Sequence, residues 1–337
     1  MKFSLLLLPF AVMLLITGCA QKVKIKALNP AEVGQMAEKK KIAITSFKND
    51  KVGLSGKIES SIAKHKLDKQ RYFTVLSRKD LNKVMAEQKL QSSELMDEKT
   101  ASKIGNLLGA QALINGEISD AQAESTTYKV DREKCLSYYK NGGCAKWRYY
   151  KDTCRTTQAT VSANINIVNM ETGSLLYGDT FVENYSADTC KHSNVLSKQQ
   201  ALGYLAGRIA NKFVYKLTPQ YVYFQVTLLE DIELENVTEK DEDSLKYALE
   251  YIKAGRMAKA DTIITKIMDN TNGQSYVVSY DLGVVKEAQG QFAEAKKLYA
   301  LADSLTMEPN DEINAAILRI EAILEKQEEA KQQMNAK

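Results

Sequence analysis

Four cysteines, Cys135, Cys144, Cys154 and Cys190, are the residues of this chain best suited to covalent chemistry. They are even in number, and cysteines of a chain that folds in an oxidising compartment form disulfides. Zinc is the alternative, but thiolate ligands need a reducing compartment, and zinc sites usually space their cysteines as CxxC. The cysteines therefore predict disulfides and no metal site.

A predicted β-hairpin indicates how these cysteines pair. Two alternating, β-rich segments flank a tight turn at residues 170–173, which ends in glycine. In the register that this turn sets, Cys154 lies opposite Thr189, next to Cys190. The expected disulfides are Cys154 with Cys190 and, by elimination, Cys135 with Cys144.

The other residue types that carry catalysis form no recognisable motif. The only histidines are His65 and His192, too few for a metal cluster. Residues 53–57 could be mistaken for a phosphate loop, but Lys51 and Ile58 stand where such a loop needs glycine and serine or threonine. Nucleophile elbows and HExxH motifs are also missing. The sequence predicts no enzymatic activity.

The N-terminus carries a signal for lipid attachment. Lys2 is followed by an apolar run over residues 3–16, which is shorter than the roughly 20 residues needed to span a bilayer. The Ile-Thr-Gly-Cys sequence that ends this run resembles a bacterial lipobox. The resemblance implies a signal peptide over residues 1–18, an N-acyl diacylglycerol on Cys19 and no other cofactor. With Ala20 next, it also implies an outer-membrane anchor and a globular part on the periplasmic side.

Length and charge limit the organisation of the chain and its partners. A length of 337 residues suggests two domains. The chain has 46 basic and 42 acidic residues, so its net charge of +4 gives no electrostatic reason to expect nucleic acid. We therefore expect protein partners, together with a membrane reached through the lipid.

Residues 72–119 read as strand, helix, helix and strand, and the rest of the first domain is organised around them. The first strand ends at Ser77, a helix N-cap, and Gly109 suits the left-handed residue that ends the second helix. Several short motifs flank and fill this stretch: Ile42-Ala43-Ile44, Phe73-x-Val75-Leu76-Ser77-Arg78, Ile104-Gly105-x-Leu107-Leu108-Gly109-Ala110 and INIVNMETG at 165–173.

In order and spacing, these motifs resemble the CsgG family of bacterial outer-membrane lipoproteins over residues 41–218. The resemblance implies an α/β (α+β) sandwich with helices on a mixed sheet, placed over residues 41–228 after a tether at 19–40. It also implies two occupations. Curli-type members oligomerise into a secretion channel to which each subunit contributes two β-hairpins, whereas other relatives bind partners in the periplasm.

Charge distinguishes these two occupations. A membrane strand needs about 9–11 residues with an apolar lipid face, and each mid-membrane Lys or Arg on that face costs about 2–4 kcal/mol. The first candidate hairpin, residues 121–159, is instead rich in charge, which disfavours the channel. Its charged residues include Lys129, Asp131, Arg132, Glu133, Lys134, Lys140, Lys146, Arg148, Lys151, Asp152 and Arg155.

The same hairpin interleaves aromatic and basic residues. Amphipathic rings are common at protein interfaces, so we expect this cluster to bind a partner. A local core under a loop and stacking on a glycan are alternatives that the sequence leaves open. The candidate partner-binding residues are Tyr138, Tyr139, Trp147, Tyr149 and Tyr150.

The C-terminal part reads as an all-α repeat domain. After an acidic connection at 229–243, the sequence around Gly255 recurs around Gly290, an offset of 35 residues. This period resembles that of tetratricopeptide repeats, whose concave face usually binds peptide. We place the repeats and a capping helix at 244–326 and expect a solvated helix extension or disordered tail at 327–337.

These observations favour a lipid-anchored scaffold or adaptor that faces the periplasm and binds protein partners in envelope assembly, with homo-oligomers allowed. The alternative is a subunit of a curli-type secretion channel.

Overall fold

The computed structural model describes residues 21–67, 69–88 and 98–336, which fold into two compact units. Of the described residues, the sandwich unit comprises those in 29–220 and 328–336, and the helical unit comprises 221–327 with 21–28. The predicted signal peptide and Cys19 lie outside the described residues.

The chain forms its elements in the following order. The strands are β1 (Lys22–Asn29), β2 (Lys41–Ile44), β3 (Lys66–Leu67), β4 (Gln70–Arg71), β5 (Thr74–Val75), β6 (Ala112–Tyr138), β7 (Cys144–Asn169), β8 (Leu175–Asp188) and β9 (Gln220–Thr227). The helices are α1 (Leu54–Lys64), α2 (Arg78–Glu87), α3 (Glu98–Leu108), α4 (Lys198–Leu217), α5 (Glu239–Lys253), α6 (Met257–Asn270), α7 (Tyr276–Ala288), α8 (Phe292–Leu305) and α9 (Asp311–Asn335).

The sandwich unit is built on a five-stranded mixed sheet in the order β5-β2-β6-β7-β8. Strand β2 runs parallel to β5 and β6, while β6, β7 and β8 are antiparallel neighbours. Each connection between parallel neighbours contains at least one helix, as parallel strands require. This is the mixed sheet with flanking helices that the sequence predicted.

Alternating side chains bury both faces of this sheet. Ala43, Leu113 and Val168 pack with apolar residues of α2 and α3 in one cluster. On strands β6, β7 and β8 the sheet also packs against α4, where Phe181 and Phe213 meet edge-on at 5.9 Å between ring centroids. Helix α1 packs against α4. The sheet is therefore a rigid base for whatever its strands carry beyond it.

Helix α4 begins and holds its place through identifiable contacts. Ser197 and Gln200 form a capping box at its N-terminus, each side chain bonding the other's backbone N–H. Further along, Arg208 and Lys212 form ion pairs with Glu183 of β8, a carboxylate that is almost fully buried. These contacts fix the edge strand β8 against the helix.

The helical unit contains two helix pairs that repeat each other. Gly255 and Gly290 both adopt positive φ, 74° and 80°, so the turns of the two pairs share one conformation. At two equivalent positions, one pair combines a small with a large side chain, and the other pair combines two side chains of intermediate size. Gly283 leaves room for Tyr299, whose ring would lie 2.7 Å from a Cβ on that glycine, whereas the first pair has alanine and isoleucine 35 residues earlier.

The predicted tether at 19–40 differs from the structure. Residues 22–29 form strand β1, which pairs with β9, and together these strands form a ribbon. Its apolar side, which includes Ile25 and Leu228, joins the core of the helical unit. On its other side, the ammonium of Lys26 lies 3.6 Å from the ring centroid of Tyr221. The alternating residues of 22–29 bury every second side chain, which a free tether does not do.

The ribbon covers helix α7. The Tyr280 hydroxyl donates to the carbonyl of Thr227 at 2.8 Å, and the amide of Leu229 donates to Asp281 at 3.0 Å. Residues 277–285 of α7 are consequently buried without interruption. A helix buried all round has no free side on which to bind a peptide.

In the predicted tail, α9 continues to Asn335 as the helix extension that the sequence allows, but this extension is partly buried and not fully solvated. Gln333 is buried in the sandwich unit, where its side-chain amide accepts from the backbone N–H of Ala31 at 2.7 Å and donates to the carbonyl of the same residue. The hydroxyl of Tyr72 donates to the Gln333 carbonyl at 3.2 Å. A polar side chain with both amide atoms paired is stable in a buried position, so composition alone misplaced this segment.

A buried ion pair joins three helices of the helical unit. Glu287 of α7 is fully buried and receives two hydrogen bonds from Arg319 of α9, both at 3.0 Å, and one from the hydroxyl of Tyr299 on α8. Burial and the neighbouring carboxylate raise the pKa of Tyr299, so the phenol keeps its proton. Because all partners are present, the buried charge is compensated.

Asp281 is the opposite case, a fully buried carboxyl with one orphaned oxygen. Its Oδ1 accepts from Leu229, but Oδ2 has no hydrogen-bond partner among the described residues. Burial raises the pKa of this carboxyl well above its ordinary value. Since the folded-state pKa exceeds the unfolded one, its contribution to stability is fully present below the unfolded pKa, near 4, and is lost as the pH rises through the folded-state pKa.

We predict that Asp281→Asn raises the free energy of unfolding at pH 8, by at least about 1 kcal/mol, because a neutral amide keeps the acceptor and removes the buried charge. The gain should shrink towards zero at pH 4, where the native carboxyl is protonated. Denaturant unfolding at both pH values measures it, with the exposed Asp303→Asn as control. A gain that is equal at both pH values would contradict this account.

Candidate functional site

The candidate site is a two-stranded arm that extends from the sheet. Strand β8 pairs with β7 only from Thr156 onwards, so none of the strands that the structure describes lies beside residues 127–155 of the β6–β7 hairpin. We call this segment the arm. With 12 residues in its first strand and roughly 3.4 Å per residue, it is about 40 Å long.

Two disulfides hold the arm at its two ends. Cys154 is joined to Cys190 where the arm leaves the sheet, with 5.4 Å between their Cα atoms. Cys135 is joined to Cys144 near the turn, with 5.7 Å between Cα atoms. This is the pairing that the sequence predicts. Isolated two-stranded hairpins are marginal in water, so such links are what an exposed arm needs.

The register at the base of the arm differs from the prediction by one residue. An irregularity between Ile167 and Val168 shifts the β7–β8 pairing, so that Thr156 faces Asp188. Continued in this register, Cys154 lies directly opposite Cys190 instead of opposite Thr189. The disulfide therefore fits the observed ladder better than the predicted one.

A hydrogen-bonded carboxylate lies beside the base disulfide. Asp188 accepts from the hydroxyls of Tyr128 and Thr156, both at 2.7 Å, and from the amide of Cys190 at 2.8 Å. These bonds, that from Tyr128 foremost, lower the pKa of Asp188, and the same bond raises the pKa of Tyr128. Sequence reasoning missed Asp188; its place two residues before Cys190 is the one signal that could have identified it.

Asp188 and the two cysteines of the base disulfide form the one group of potential metal ligands found among the described residues. The ligand atoms of Cys154, Asp188 and Cys190 lie within 4.8 Å of one another. The two sulfur atoms are bonded to each other, however, and a disulfide offers no thiolate to a metal. The arrangement is therefore a structural joint.

The five predicted partner-binding residues lie on the arm with their rings in solvent. This exposure excludes the alternative of a local core beneath a loop. The exposed fractions are 69% for Tyr138, 61% for Tyr139, 47% for Trp147, 74% for Tyr149 and 41% for Tyr150.

Basic residues outnumber acidic ones on the outer part of the arm. This outer part, residues 134–151, which we call the tip, carries five basic residues and no acidic one. The arm's three acidic residues lie outside this range, but Asp131 faces Lys151 and Glu133 faces Tyr149 across the ladder. The third, Asp152, approaches Arg132 to 3.9 Å. The tip therefore combines positive charge with exposed rings, a composition typical of a binding surface.

The two histidines lie in different places, and His192 is at the base of the arm, where its backbone amide donates to the carbonyl of Asp188 at 2.9 Å. His65 directly follows α1, and partial burial lowers the pKa of its imidazole, while His192 is exposed. Neither belongs to the group of potential metal ligands described above.

Among the residues that the structure describes, no helix is both long and apolar enough to cross a bilayer.

Comparison with known proteins identifies a family. The model of the family described as "Curli production assembly/transport component CsgG" matches residues 26–254, more than half of the chain. No curated protein sequence matches the chain.

Two solved structures match the chain with low sequence identity and low TM-scores. Lipoprotein GNA1162 from Neisseria meningitidis is 15% identical with a TM-score of 0.30, covering 52% of this chain and 97% of its own. The PelC dodecamer from Paraburkholderia phytofirmans is 9% identical with a TM-score of 0.24, covering 58% of this chain and 97% of its own. Both TM-scores are below 0.5.

We predict that the base disulfide stabilises the protein more than the tip disulfide does. Replacing Cys154 and Cys190 by serine opens a link between residues 36 apart and should cost about 2–4 kcal/mol of unfolding free energy. The matched control, Cys135→Ser with Cys144→Ser, opens a link of only 9 and should cost less. Denaturant unfolding followed by circular dichroism compares the two. An equal or larger loss in the tip variant would show that the base link does not hold the arm.

Proposed function

Because the chain belongs to the CsgG family, whose model is described as a curli production assembly/transport component, we propose that it acts in assembly or transport at the cell envelope as a lipid-anchored adaptor. In this proposal the sandwich unit is the base, and the arm binds a protein partner on the periplasmic side of the outer membrane.

The single observation that carries the proposal is the exposure of the aromatic rings on a stapled arm. Five large rings in solvent are unfavourable unless a partner covers them, and monomeric proteins seldom group such side chains without a function. Tyr and Trp bury much area at low cost in conformational entropy, and they are enriched among binding hot spots. The two disulfides order the strands in advance, which lowers the entropy lost on binding.

The second role found in the family is that of a channel subunit. The distribution of charged residues over both faces of the arm argues against this role. Residues that face each other across an antiparallel ladder share a face, and neighbouring positions point to opposite faces. Arg132 and Tyr150 face each other, and so do Glu133 and Tyr149. Each face of the arm thus carries charge, and neither presents the uninterrupted apolar surface that lipid contact requires.

In the helical unit, the ribbon covers a helix on which the sequence led us to expect peptide binding. The sequence predicts that the repeats bind peptide, but the ribbon already lies on α7, a helix whose residues 277–285 are buried. The assignment to tetratricopeptide repeats stays a prediction. We therefore propose the arm, and not the covered side of α7, as the first place to look for the partner.

We predict that Trp147→Ala with Tyr149→Ala lowers capture of the partner in crosslinked envelopes about thirtyfold, the effect of losing roughly 2 kcal/mol at a hot spot. Because both rings are exposed, unfolding stability should change by less than about 0.5 kcal/mol. The control is Tyr247→Ala, which removes a ring of 64% exposure on α5. Unchanged capture by the arm variant would reject the proposal, and pore conductance of the purified protein in planar bilayers would favour the channel.

The anchor is tested separately. We predict that Cys19→Ala moves the protein from the membrane fraction to the soluble periplasmic fraction, because the acyl chains on Cys19 and not the folded units supply the membrane affinity. Fractionation with immunoblotting measures the distribution, and Cys135→Ala with Cys144→Ala controls for the loss of other cysteines. Retention of the Cys19 variant in the membrane would show that a different part of the chain is the anchor.

A further inference from the structure

The tip needs a partner of opposite charge. Its five basic residues are all exposed, and of these only Lys151 faces an acidic residue, Asp131, across the ladder. A surface that binds here must supply carboxylates or phosphates for the cations and apolar area for the rings. These two requirements narrow the class of partner.

The chain itself carries a surface with both properties. Residues 230–243, which we call the acidic segment, contain eight acidic residues and one basic residue. Asp231, Glu235 and Glu242 are exposed, while Ile232 and Leu234 are half-buried between them. The acidic segment therefore offers negative charge interrupted by apolar side chains, the complement of the tip.

We propose that the tip of one copy of this chain binds the acidic segment of a second copy. This inference rests on the proposed function, in which the arm is the docking element, and it names the partner of that element. The contact joins two different surfaces, so each copy keeps a tip and an acidic segment for further copies. Such head-to-tail contacts build a ring when the rotation closes and a filament when it does not.

A lipid surface is the main competitor for a cationic, aromatic tip. An element that lies in a membrane interface buries one apolar face and keeps its charges on the other. The tip does not have that division. Lys134 and Arg148 face each other on one side together with Tyr150, and Trp147 and Tyr149 lie on the other side near Glu133 and Lys151, as the pairing register places them. A protein segment that contacts both faces fits this distribution better than a flat bilayer.

The proposal predicts a strong dependence on salt. Between 0.1 M and 1 M salt, the Debye length falls from about 10 Å to about 3 Å. Exposed charge pairs are screened over this range, so the dissociation constant of self-association should rise at least about tenfold. The aromatic contacts should leave a weaker residual association at high salt.

Charge reversal provides the decisive test. One variant reverses the tip, Lys146→Glu with Arg148→Glu, and another reverses the acidic segment, Asp231→Lys with Glu235→Lys. Sedimentation velocity of the mature chain in detergent should show self-association of the native protein and a single copy for each variant alone. An equimolar mixture should associate again, because the native tip of one variant meets the native acidic segment of the other and the two reversed surfaces are complementary as well. A chain with all four reversals should self-associate again.

The controls separate specific pairing from net charge and from misfolding. Lys64→Glu with Lys66→Glu changes the net charge by the same amount on an exposed part of the sandwich unit and should leave self-association unchanged. Circular dichroism checks that every variant folds. Recovery of association in the mixture also shows that the two single-surface variants are folded.

Three results would overturn the inference. The native chain could remain a single copy at the highest soluble concentration, or the two variants could fail to associate when mixed. Alternatively, the tip could bind vesicles of phosphatidylcholine with phosphatidylglycerol, regardless of reversal of the acidic segment and without self-association, which would assign the tip to lipid. If self-association fails while Trp147→Ala with Tyr149→Ala still loses a crosslinked partner of different mass, the proposed function stands without this inference.

Discussion

The antiparallel pairing of β6 with β7 is the interaction on which the sandwich unit and its arm both depend. At one end of this ladder Ile114 and Ile167 face each other in the buried sheet, and at the other end Tyr138 faces Cys144 in solvent. The same hydrogen bonds hold both ends, but the core supplies burial only to the first. Beyond the end of β8, disulfides replace the neighbouring strand. A core sheet thus becomes a rigid projecting surface without any change of secondary structure.

In the helical unit, a segment from elsewhere in the chain covers a face that the helix pairs leave open. Two helix pairs leave open faces, because a short repeat array has few neighbours to cover them. Here the ribbon supplies part of the missing cover, and Tyr280 fixes it through the carbonyl of Thr227. Strand β1 comes from the first residues that the structure describes and β9 from the middle of the chain, so this core requires segments far apart in sequence. Its dependence on α7 makes peptide binding on that side compete with the unit's own stability.

Local signals in the sequence predicted the elements but not these long-range choices. Ser77 and Gly109 lie at a helix start and a helix end, as their side-chain chemistry indicates. The register set by the hairpin turn placed Cys154 opposite Thr189, next to Cys190. One irregularity at Val168 shifts this register by one residue, so that Cys154 lies opposite Cys190 itself. Residues 22–29 alternate in hydrophobicity, yet no local rule states which surface covers them. Gln333 shows the same limit, since its burial depends on Ala31 at the other end of the chain.

Exposed rings and buried charges are the two places where this chain departs from a simple apolar core, and they have different explanations. Glu287 is buried with Arg319 and Tyr299 as partners, so its environment is complete within one copy. Tyr149 is exposed on a covalently stapled strand, and its environment is incomplete in one copy. Complete polar networks stabilise a particular fold, whereas preorganised, uncovered rings are useful only when something covers them. The incomplete surface is therefore the one on which to base the function.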